Sequence, residues 1–186
     1  MTTPRNFEIR FSGTGGQGLQ LSARILAEAL NLEGKWVARS QSYEPTSRGG
    51  ISRSDLVVGA GPVDYPLVTA LDYLIVLDQS AVSVSLGLLG RGSVVLADAA
   101  RVPEPPKGRF KRHLLRLIET ARGLGNERVA NIVALGALIG VAEVCAYDSL
   151  VKAIRDGVPA KFLDLNLEAV AAGHAMTAPA RAVAAN

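Results

Sequence analysis

The sequence has only one cysteine, Cys145, and two histidines, His113 and His174, among its 186 residues. One cysteine cannot form an intrachain disulfide, and no Cys/His cluster with metal-ligand spacing is present to hold zinc or an iron–sulfur cluster. No nucleophile elbow and no paired carboxylates stand out, and both histidines are interpreted as surface residues. We therefore predict no catalytic residue and no metal site in this chain.

Other shortages exclude further classes of protein. Aromatic residues make up 5% of the chain, whereas Ala, Gly, Val and Leu are abundant, which favours helices packed on a sheet over an aromatic-rich sandwich. The net charge of +3 gives no argument for nucleic-acid binding. The longest apolar run, Val129 to Ala146, contains polar residues and glycines and barely reaches spanning length, so we expect no membrane segment. No signal peptide is recognised, and the cytoplasm is the expected location.

One short segment is rich in basic residues. We interpret it as a solvated face, with contact to an acidic partner subunit as the alternative: Arg109, Lys111, Arg112, His113 and Arg116.

Strand patterns alternate with helix patterns along most of the chain. Strands are predicted at 7–11, 35–39, 51–59, 72–78, 93–97 and shortly after 109, and helices at 17–33, 79–89, up to 124, 127–145, 148–156 and 163–173. This order predicts an α/β fold: a Rossmann-like parallel sheet with helices on both faces. We expect residues 1–186 to form a single domain with a helical C-terminal part. The tail, 175–186, is expected to fray or to dock on a partner.

A glycine motif follows the first predicted strand. Gly13, Gly15 and Gly18 have the G-x-G-x-x-G spacing, with a fourth glycine at Gly16. Gly13 permits a tight turn, Gly15 and Gly16 allow a phosphate to approach the backbone, and Gly18 lets the helix pack closely on the strand. The N–H groups at the start of the helix then face an anion. The alternative is a tight turn that binds nothing.

Two further features are compatible with an anion site. Arginine in Arg48-Gly49-Gly50 is a fork-shaped donor for phosphate or carboxylate, although it could instead anchor its own loop. This loop and the glycine turn both follow predicted strands, so we expect them to be neighbours. Asn131, near the start of an apolar helix, is predicted to cap its own helix, to bond a loop or to point into the ligand cleft.

A dinucleotide enzyme remains the competing interpretation. An NAD site needs an acidic residue at the end of the second strand, about 20 residues beyond the glycines, to hold the ribose hydroxyls. The sequence there is Ala38-Arg39-Ser40, which contains no acid. Arg39 suits a 2′-phosphate, but no proton-relay residue accompanies it. A stand-alone NAD(P)- or nucleotide-binding Rossmann protein is kept as the alternative.

Three segments together resemble a known family: Gly13-Thr-Gly-Gly-Gln-Gly18, Ser42-Tyr-Glu-Pro-Thr-Ser-Arg-Gly-Gly50 and Asn131-Ile-Val-Ala-Leu-Gly-Ala137. They resemble the gamma subunit of 2-oxoacid:acceptor (ferredoxin) oxidoreductases, and the likeness runs from about residue 7 to 173. The 2-oxoglutarate branch looks closest. The loop departs from that branch's usual pattern at Glu44, Thr46 and Ser47, so an aryl 2-oxoacid enzyme stays open.

The resemblance implies a supporting role in a heteromeric, thiamine diphosphate-dependent complex. The family oxidatively decarboxylates a 2-oxoacid with coenzyme A, giving acyl-CoA, carbon dioxide and electrons for ferredoxin or NAD. Thiamine diphosphate and iron–sulfur clusters are expected in partner subunits, namely alpha and beta, with a delta or ferredoxin-like subunit as a further candidate. This chain is expected to flank the active site and to help bind coenzyme A. The residues expected to do so are Gly13, Gly15, Gly16, Gln17, Gly18, Arg48, Gly49, Gly50 and Asn131.

Replacing Arg48 with Ala tests the arginine of the second loop. A charge-assisted contact to a phosphate contributes roughly 1.5–3 kcal/mol. The KM for coenzyme A in the assembled complex should therefore rise by about tenfold or more. An unchanged KM would exclude this contact.

Overall fold

A computed structural model describes residues 6–43 and 50–177. Within them lie six strands and five α-helices. The strands are β1 (Phe7–Thr14), β2 (Trp36–Tyr43), β3 (Ile51–Gly59), β4 (Leu71–Val76), β5 (Leu89–Asp98) and β6 (Lys111–Leu115). The α-helices are α1 (Leu19–Leu32), α2 (Leu117–Gly123), α3 (Ala130–Ala142), α4 (Tyr147–Gly157) and α5 (Leu163–Ala175). Short 3-10 helices lie at Gln79–Ala81, Ser83–Leu88, Glu127–Val129 and Ala160–Phe162.

The six strands form one sheet in the order β2-β3-β1-β4-β5-β6. The predicted α/β class is confirmed, but the prediction of an all-parallel sheet is wrong, because β3 runs antiparallel to both β1 and β2. Only residues 44–50 connect β2 to β3. A parallel connection needs a crossover of about a dozen residues or more, so this short link returns the chain as a hairpin. The predicted loop 40–50 is also shorter, since β2 continues to Tyr43.

The two faces of the sheet are covered differently. The five α-helices contribute to one large core, whereas a smaller cluster on the other face packs against the 3-10 segment between β4 and β5. The sequence predicts one helix at 79–89, but the structure has two 3-10 helices there. This segment alternates serine with valine, and both residue types have low helix propensity.

A buried ion pair links the second face of the sheet to the 3-10 segment that covers it. Arg10 and Asp55 are opposite each other on β1 and β3 and are 4% and 5% exposed. The Arg10 guanidinium donates two hydrogen bonds of 2.8 Å to the Asp55 carboxylate and a third of 3.2 Å to the Val84 carbonyl. Ser12 Oγ donates to the Ala81 carbonyl at 3.2 Å. The antiparallel placement of β3 therefore supplies the carboxylate that a buried arginine needs.

Helices α3 and α5 cross with their backbones in contact. A Cβ atom on Gly136 would overlap the carbonyl oxygen of Val170, and one on Gly173 would overlap that of Val133. Residues 130–140 of α3 are all buried, so the helix is surrounded by protein. No helix in the described part of the chain is long and apolar enough to cross a membrane.

The C-terminal end is ordered further than predicted. Beyond the end of α5, Thr177 is 2% exposed and its hydroxyl donates to the His174 carbonyl at 2.9 Å. The predicted fraying tail thus begins after this residue at the earliest, and 178–186 lie outside the described residues.

Substitution of Gly136 by Ala tests the helix crossing. Because the new methyl group meets rigid backbone, we expect the free energy of unfolding to fall by about 1–3 kcal/mol. Gly123→Ala is the matched control, since Gly123 is also helical but has nothing within 4 Å of the added Cβ. Urea unfolding monitored by circular dichroism measures both variants. Equal stabilities would contradict the close crossing.

Candidate functional site

The glycine turn projects from the edge of the sheet at the end of β1. Gly13 is still part of β1, and α1 begins at Leu19, two residues later than the sequence predicts. Gly15 and Gly16 are exposed, with no atom within 4 Å of a built Cβ. Gly16 has a φ of 90° and Gly18 a φ of 72°, a conformation that costs other residues strain. The turn therefore presents bare backbone to solvent.

The side chain of Gln17 folds back into the turn. Its Oε1 accepts a hydrogen bond of 2.8 Å from the Thr14 N–H, and its Nε2 donates at 3.1 Å to the Leu77 carbonyl at the end of β4. The amide oxygen fills the space where a Cβ of residue 13 would lie, which explains Gly13. Gln17 thus joins the ends of two neighbouring parallel strands. Its role in ligand binding stays a prediction.

Asn131 connects the starts of α1 and α3. It is 3% exposed, and its Nδ2 donates to the Gly18 carbonyl at 3.0 Å and to Ser22 Oγ at 3.1 Å. The Ser22 hydroxyl in turn donates to the Asn131 carbonyl at 3.3 Å. A Cβ on Gly18 would lie 2.6 Å from Asn131 Nδ2, a second reason for glycine there. Asn131 packs against the back of the glycine turn, and a direct ligand contact stays a prediction.

The loop that ends at Gly50 contacts the glycine turn, as the sequence predicts. The Gly15 N–H donates to the Gly50 carbonyl at 3.1 Å. The reason differs from the prediction, because Gly50 precedes an antiparallel strand whose start lies beside the end of β1. Arg48 and Gly49 lie outside the described residues, so their proposed contacts rest on the sequence alone.

A groove of about 360 Å³ opens beside the turn. It lies between Gly16 and Gln17 of the turn, the end of β4, the start of α2 and the segment that precedes α3. Its lining residues are Gly16, Gln17, Leu77, Ile118, Asn126, Glu127, Arg128 and Ala130. The starts of α1 and α3 therefore lie on the same groove.

Helix α1 lacks the usual neutralising groups at its N-terminus, since it has neither a side-chain cap nor an acidic residue in its first turn. Helix α3 differs, because it continues directly from the 3-10 turn Glu127–Val129, where Asn126 accepts a hydrogen bond from the Arg128 N–H and Glu127 supplies an acid. The other three α-helices each carry one acidic residue in the first turn, namely Glu119, Asp148 and Asp164. A helix N-terminus carries about half a positive charge and exposed N–H groups, which an anion stabilises. Among the described α-helices, with the 3-10 turn counted as the start of α3, α1 alone has neither a cap nor an acid, and the turn before it borders the groove.

Basic side chains flank the same groove. Glu127 accepts hydrogen bonds from Arg101 at 3.0 Å and from Arg122 at 2.8 Å. The hydrogen bond from Arg122, followed by the charges of both arginines, lowers the pKa of Glu127, so this carboxylate stays ionised. Arg128 is exposed and has no ion-pair partner among the described residues. Together these four side chains carry a net charge of +2.

Two aspartates near the ends of strands have local structural roles. Asp78 Oδ1 accepts from the Ser80 N–H at 3.0 Å. Asp98 accepts from the N–H groups of Arg101 at 2.7 Å and of Ile118 at 2.8 Å. Within residues 6–43 and 50–177, no three His, Cys, Asp or Glu side chains come together as a metal site would require. The arrangement is suited to holding an anion by its backbone.

Residues 8–176 match the family model described as pyruvate ferredoxin/flavodoxin oxidoreductase. The chain belongs to this family. The resemblance predicted from three short motifs is thus confirmed over almost the whole chain, and a stand-alone Rossmann dehydrogenase is not favoured.

Similar proteins of this family include single subunits and longer chains. Subunit KorC of 2-oxoglutarate synthase from Methanocaldococcus jannaschii is 37% identical over 90% of this chain and 91% of that protein. The gamma subunit of a keto/oxoacid ferredoxin oxidoreductase from Geobacter sulfurreducens is 38% identical, with a TM-score of 0.82, covering 92% and 98% of the two chains.

A second solved structure shares the fold within a longer chain. It is 2-oxoglutarate:ferredoxin oxidoreductase from Magnetococcus marinus with 2-oxoglutarate, coenzyme A and succinyl-CoA bound. Its identity is 21% and its TM-score 0.82, over 94% of this chain and 31% of that one. At this identity the likeness shows the shared fold alone.

Sequence reasoning missed Ser22 and the basic residues around Glu127. Ser22 could have been found, because it occupies the apolar stripe of α1 and is fully buried. The acid-free first turn of α1 is also visible in the sequence. That the turn before α1 and the start of α3 border one groove depends on contacts between residues that are distant in the sequence.

The reactivity of Cys145 tests directly whether its side chain is buried. It is 5% exposed, and burial, followed by the charge of Glu33, raises the pKa of its thiol to about 12. At pH 8 its reaction with Ellman's reagent should be roughly a thousandfold slower in the folded chain than in urea. Because it is the only cysteine, all of the signal comes from it. Equal rates in the two states would contradict the burial.

The same pKa shift predicts a change of stability at high pH. The folded-state pKa of about 12 lies above the ordinary value of 9.0. Ionisation of the unfolded thiol above pH 9 therefore favours unfolding, and this contribution to stability is lost between pH 9 and 12.

Proposed function

We propose that this chain is the gamma subunit of a 2-oxoacid:ferredoxin oxidoreductase and that its groove receives the phosphate groups of coenzyme A. The observation that carries the proposal is the exposed glycine turn, which leads into the uncapped, acid-free start of α1 and borders the groove. Coenzyme A brings a pyrophosphate and a 3′-phosphate, and such groups bind well at helix N-termini. The proteins that resemble this chain are named as subunits or chains of 2-oxoacid oxidoreductases.

The backbone of the turn is proposed to hold the pyrophosphate. Gly16 is exposed and bare, so a phosphate can approach its N–H and those at the start of α1. The N–H of Gly15 is already bonded to Gly50 and serves to fix the two loops together. Because these donors are backbone groups set by the fold, they need no rearrangement to receive an anion.

Arginines are proposed to hold the remaining phosphate. Arg128 borders the groove without an ion-pair partner among the described residues, whereas Arg101 and Arg122 are engaged with Glu127. Arg48 lies two residues before Gly50 in the sequence, and we propose that it contacts the same ligand or a neighbouring subunit. Both arginines would act as fork-shaped donors to phosphate oxygens.

Gln17 and Asn131 are proposed to shape the groove from behind. The amide of Gln17 is bonded on both sides to backbone, and Asn131 is buried against Gly18 and Ser22. Loss of either side chain would leave partly buried backbone groups without these partners, at a cost of about 1 kcal/mol. We therefore assign them positioning roles, with the neighbouring backbone making the contacts to the ligand.

The chain's part in the reaction is supportive. When bound, coenzyme A would supply the thiol that accepts the acyl group formed when the 2-oxoacid loses carbon dioxide and passes two electrons to the acceptor. We propose that this chain anchors the coenzyme. We propose that alpha and beta subunits carry thiamine diphosphate and that iron–sulfur clusters lie in partner subunits. Likeness to the KorC subunit favours 2-oxoglutarate as the 2-oxoacid.

Paired substitutions at Gly15 test the anion site by charge alone. The φ of Gly15 is not positive and its Cβ would point into open space, so a side chain fits there. Gly15→Glu should raise the KM for coenzyme A in the assembled complex by about tenfold relative to Gly15→Gln. The kcat at saturating coenzyme A should change little, since the chemistry lies elsewhere. The same KM for Glu and Gln would exclude a phosphate beside this turn.

A further inference from the structure

The positive charge of the chain is concentrated at one edge of the sheet. Residues 107–116 contain five of the 20 lysines and arginines and none of the 17 acidic residues. The rest of the chain has 15 basic and 17 acidic residues, a net charge of −2. The five basic residues are all exposed, and β6 is built from this segment.

The outer edge of β6 has no pairing strand among the described residues. β6 is last in the sheet order and pairs only with β5, through five parallel register positions. Leu114, near its end, is 52% exposed, a large apolar side chain on a strand otherwise flanked by charge. A free strand edge is a template for pairing with an extended segment of another chain.

Most of this charge is not neutralised by acidic side chains of the described residues. Arg112 donates to the Pro106 carbonyl at 3.3 Å, and Arg116 forms a solvent-exposed pair with Glu119 at 3.5 Å. Lys111 has no ion-pair partner among the described residues. An exposed pair of the Arg116 kind contributes little to stability. The cations are therefore available to an external group of opposite charge.

Protection of the edge against self-association does not by itself explain the charge. Lysines and arginines on edge strands do prevent unwanted pairing. However, β2 forms the opposite edge, is longer at eight residues, and contains only one cation, Arg39. The shorter edge thus carries far more charge than the longer edge.

We propose that β6 is the docking strand for an extended acidic segment of a partner subunit. The segment would add beside β6 by backbone hydrogen bonds, contact Leu114 and pair with the surrounding lysines and arginines. This inference rests on the proposed function, in which the chain works inside a multi-subunit complex. Strand β6 leads directly into α2, whose Ile118 lines the coenzyme groove, so the docked subunit would lie next to that groove.

Hydrogen–deuterium exchange tests the docking strand. The full chain is measured alone and in the purified complex with its co-expressed partner subunits. Peptides covering 111–115 should exchange about tenfold or more slowly in the complex, because their free N–H groups become bonded. A complex in which β6 exchanges as it does in the free chain overturns the docking strand and leaves the proposed function intact. A chain that binds no partner subunit overturns both.

Charge reversal tests the chemistry of the partner segment. The double variant Lys111→Glu, Arg112→Glu should lower the affinity for the partner subunits by about tenfold or more. Arg39→Glu, on the opposite edge strand, is the matched control and should leave the affinity unchanged. Unfolding curves verify that each variant is folded. Equal affinities for the double variant and the control would overturn the proposal, as would protection of β6 by a short DNA duplex but not by the partner subunits.

Discussion

The candidate site depends on the hydrogen bonds that the buried side-chain amide of Asn131 donates. By donating to the Gly18 carbonyl and to Ser22, it fixes the start of α3 against the start of α1. Helix α1 does not neutralise its own N-terminus with a cap or an acid, whereas α3 follows a capped 3-10 turn that holds Glu127. The partial positive charge of α1 therefore acts beside the exposed glycine turn and near the arginines that surround Glu127.

The rest of the fold keeps these two helices in place. Glycines at the crossing of α3 and α5 bring the backbones into contact, so α3 cannot shift without a clash. On the sheet, antiparallel β3 places Gly50 against Gly15 and joins the second loop to the turn. Gln17 fixes the turn to the end of β4. The turn and the starts of α1 and α3 are therefore held in fixed positions relative to one another.

Much of the fold and of the candidate site could be predicted from the sequence, because short local segments determine these features. The glycine spacing identifies the turn and its helix, and the three motifs together identify the family. The antiparallel β3 was missed because its own sequence carries no sign of direction. Only the short link after Tyr43 reveals it, since seven residues cannot form a crossover. The prediction of a helix at 79–89 is wrong, because alternating serine and valine have low helix propensity and the segment forms two 3-10 helices instead. The convergence of α1 and α3 depends on contacts between residues more than 100 positions apart, such as Ser22 with Asn131.

The central claim is that backbone groups of this chain hold the phosphates of coenzyme A. A structure of the assembled complex with coenzyme A bound measures this directly. We expect phosphate oxygens within about 3.2 Å of backbone nitrogens in the turn at Gly16 or at the starts of α1 and α3. Coenzyme phosphates held only by partner subunits, with this groove empty, would contradict it.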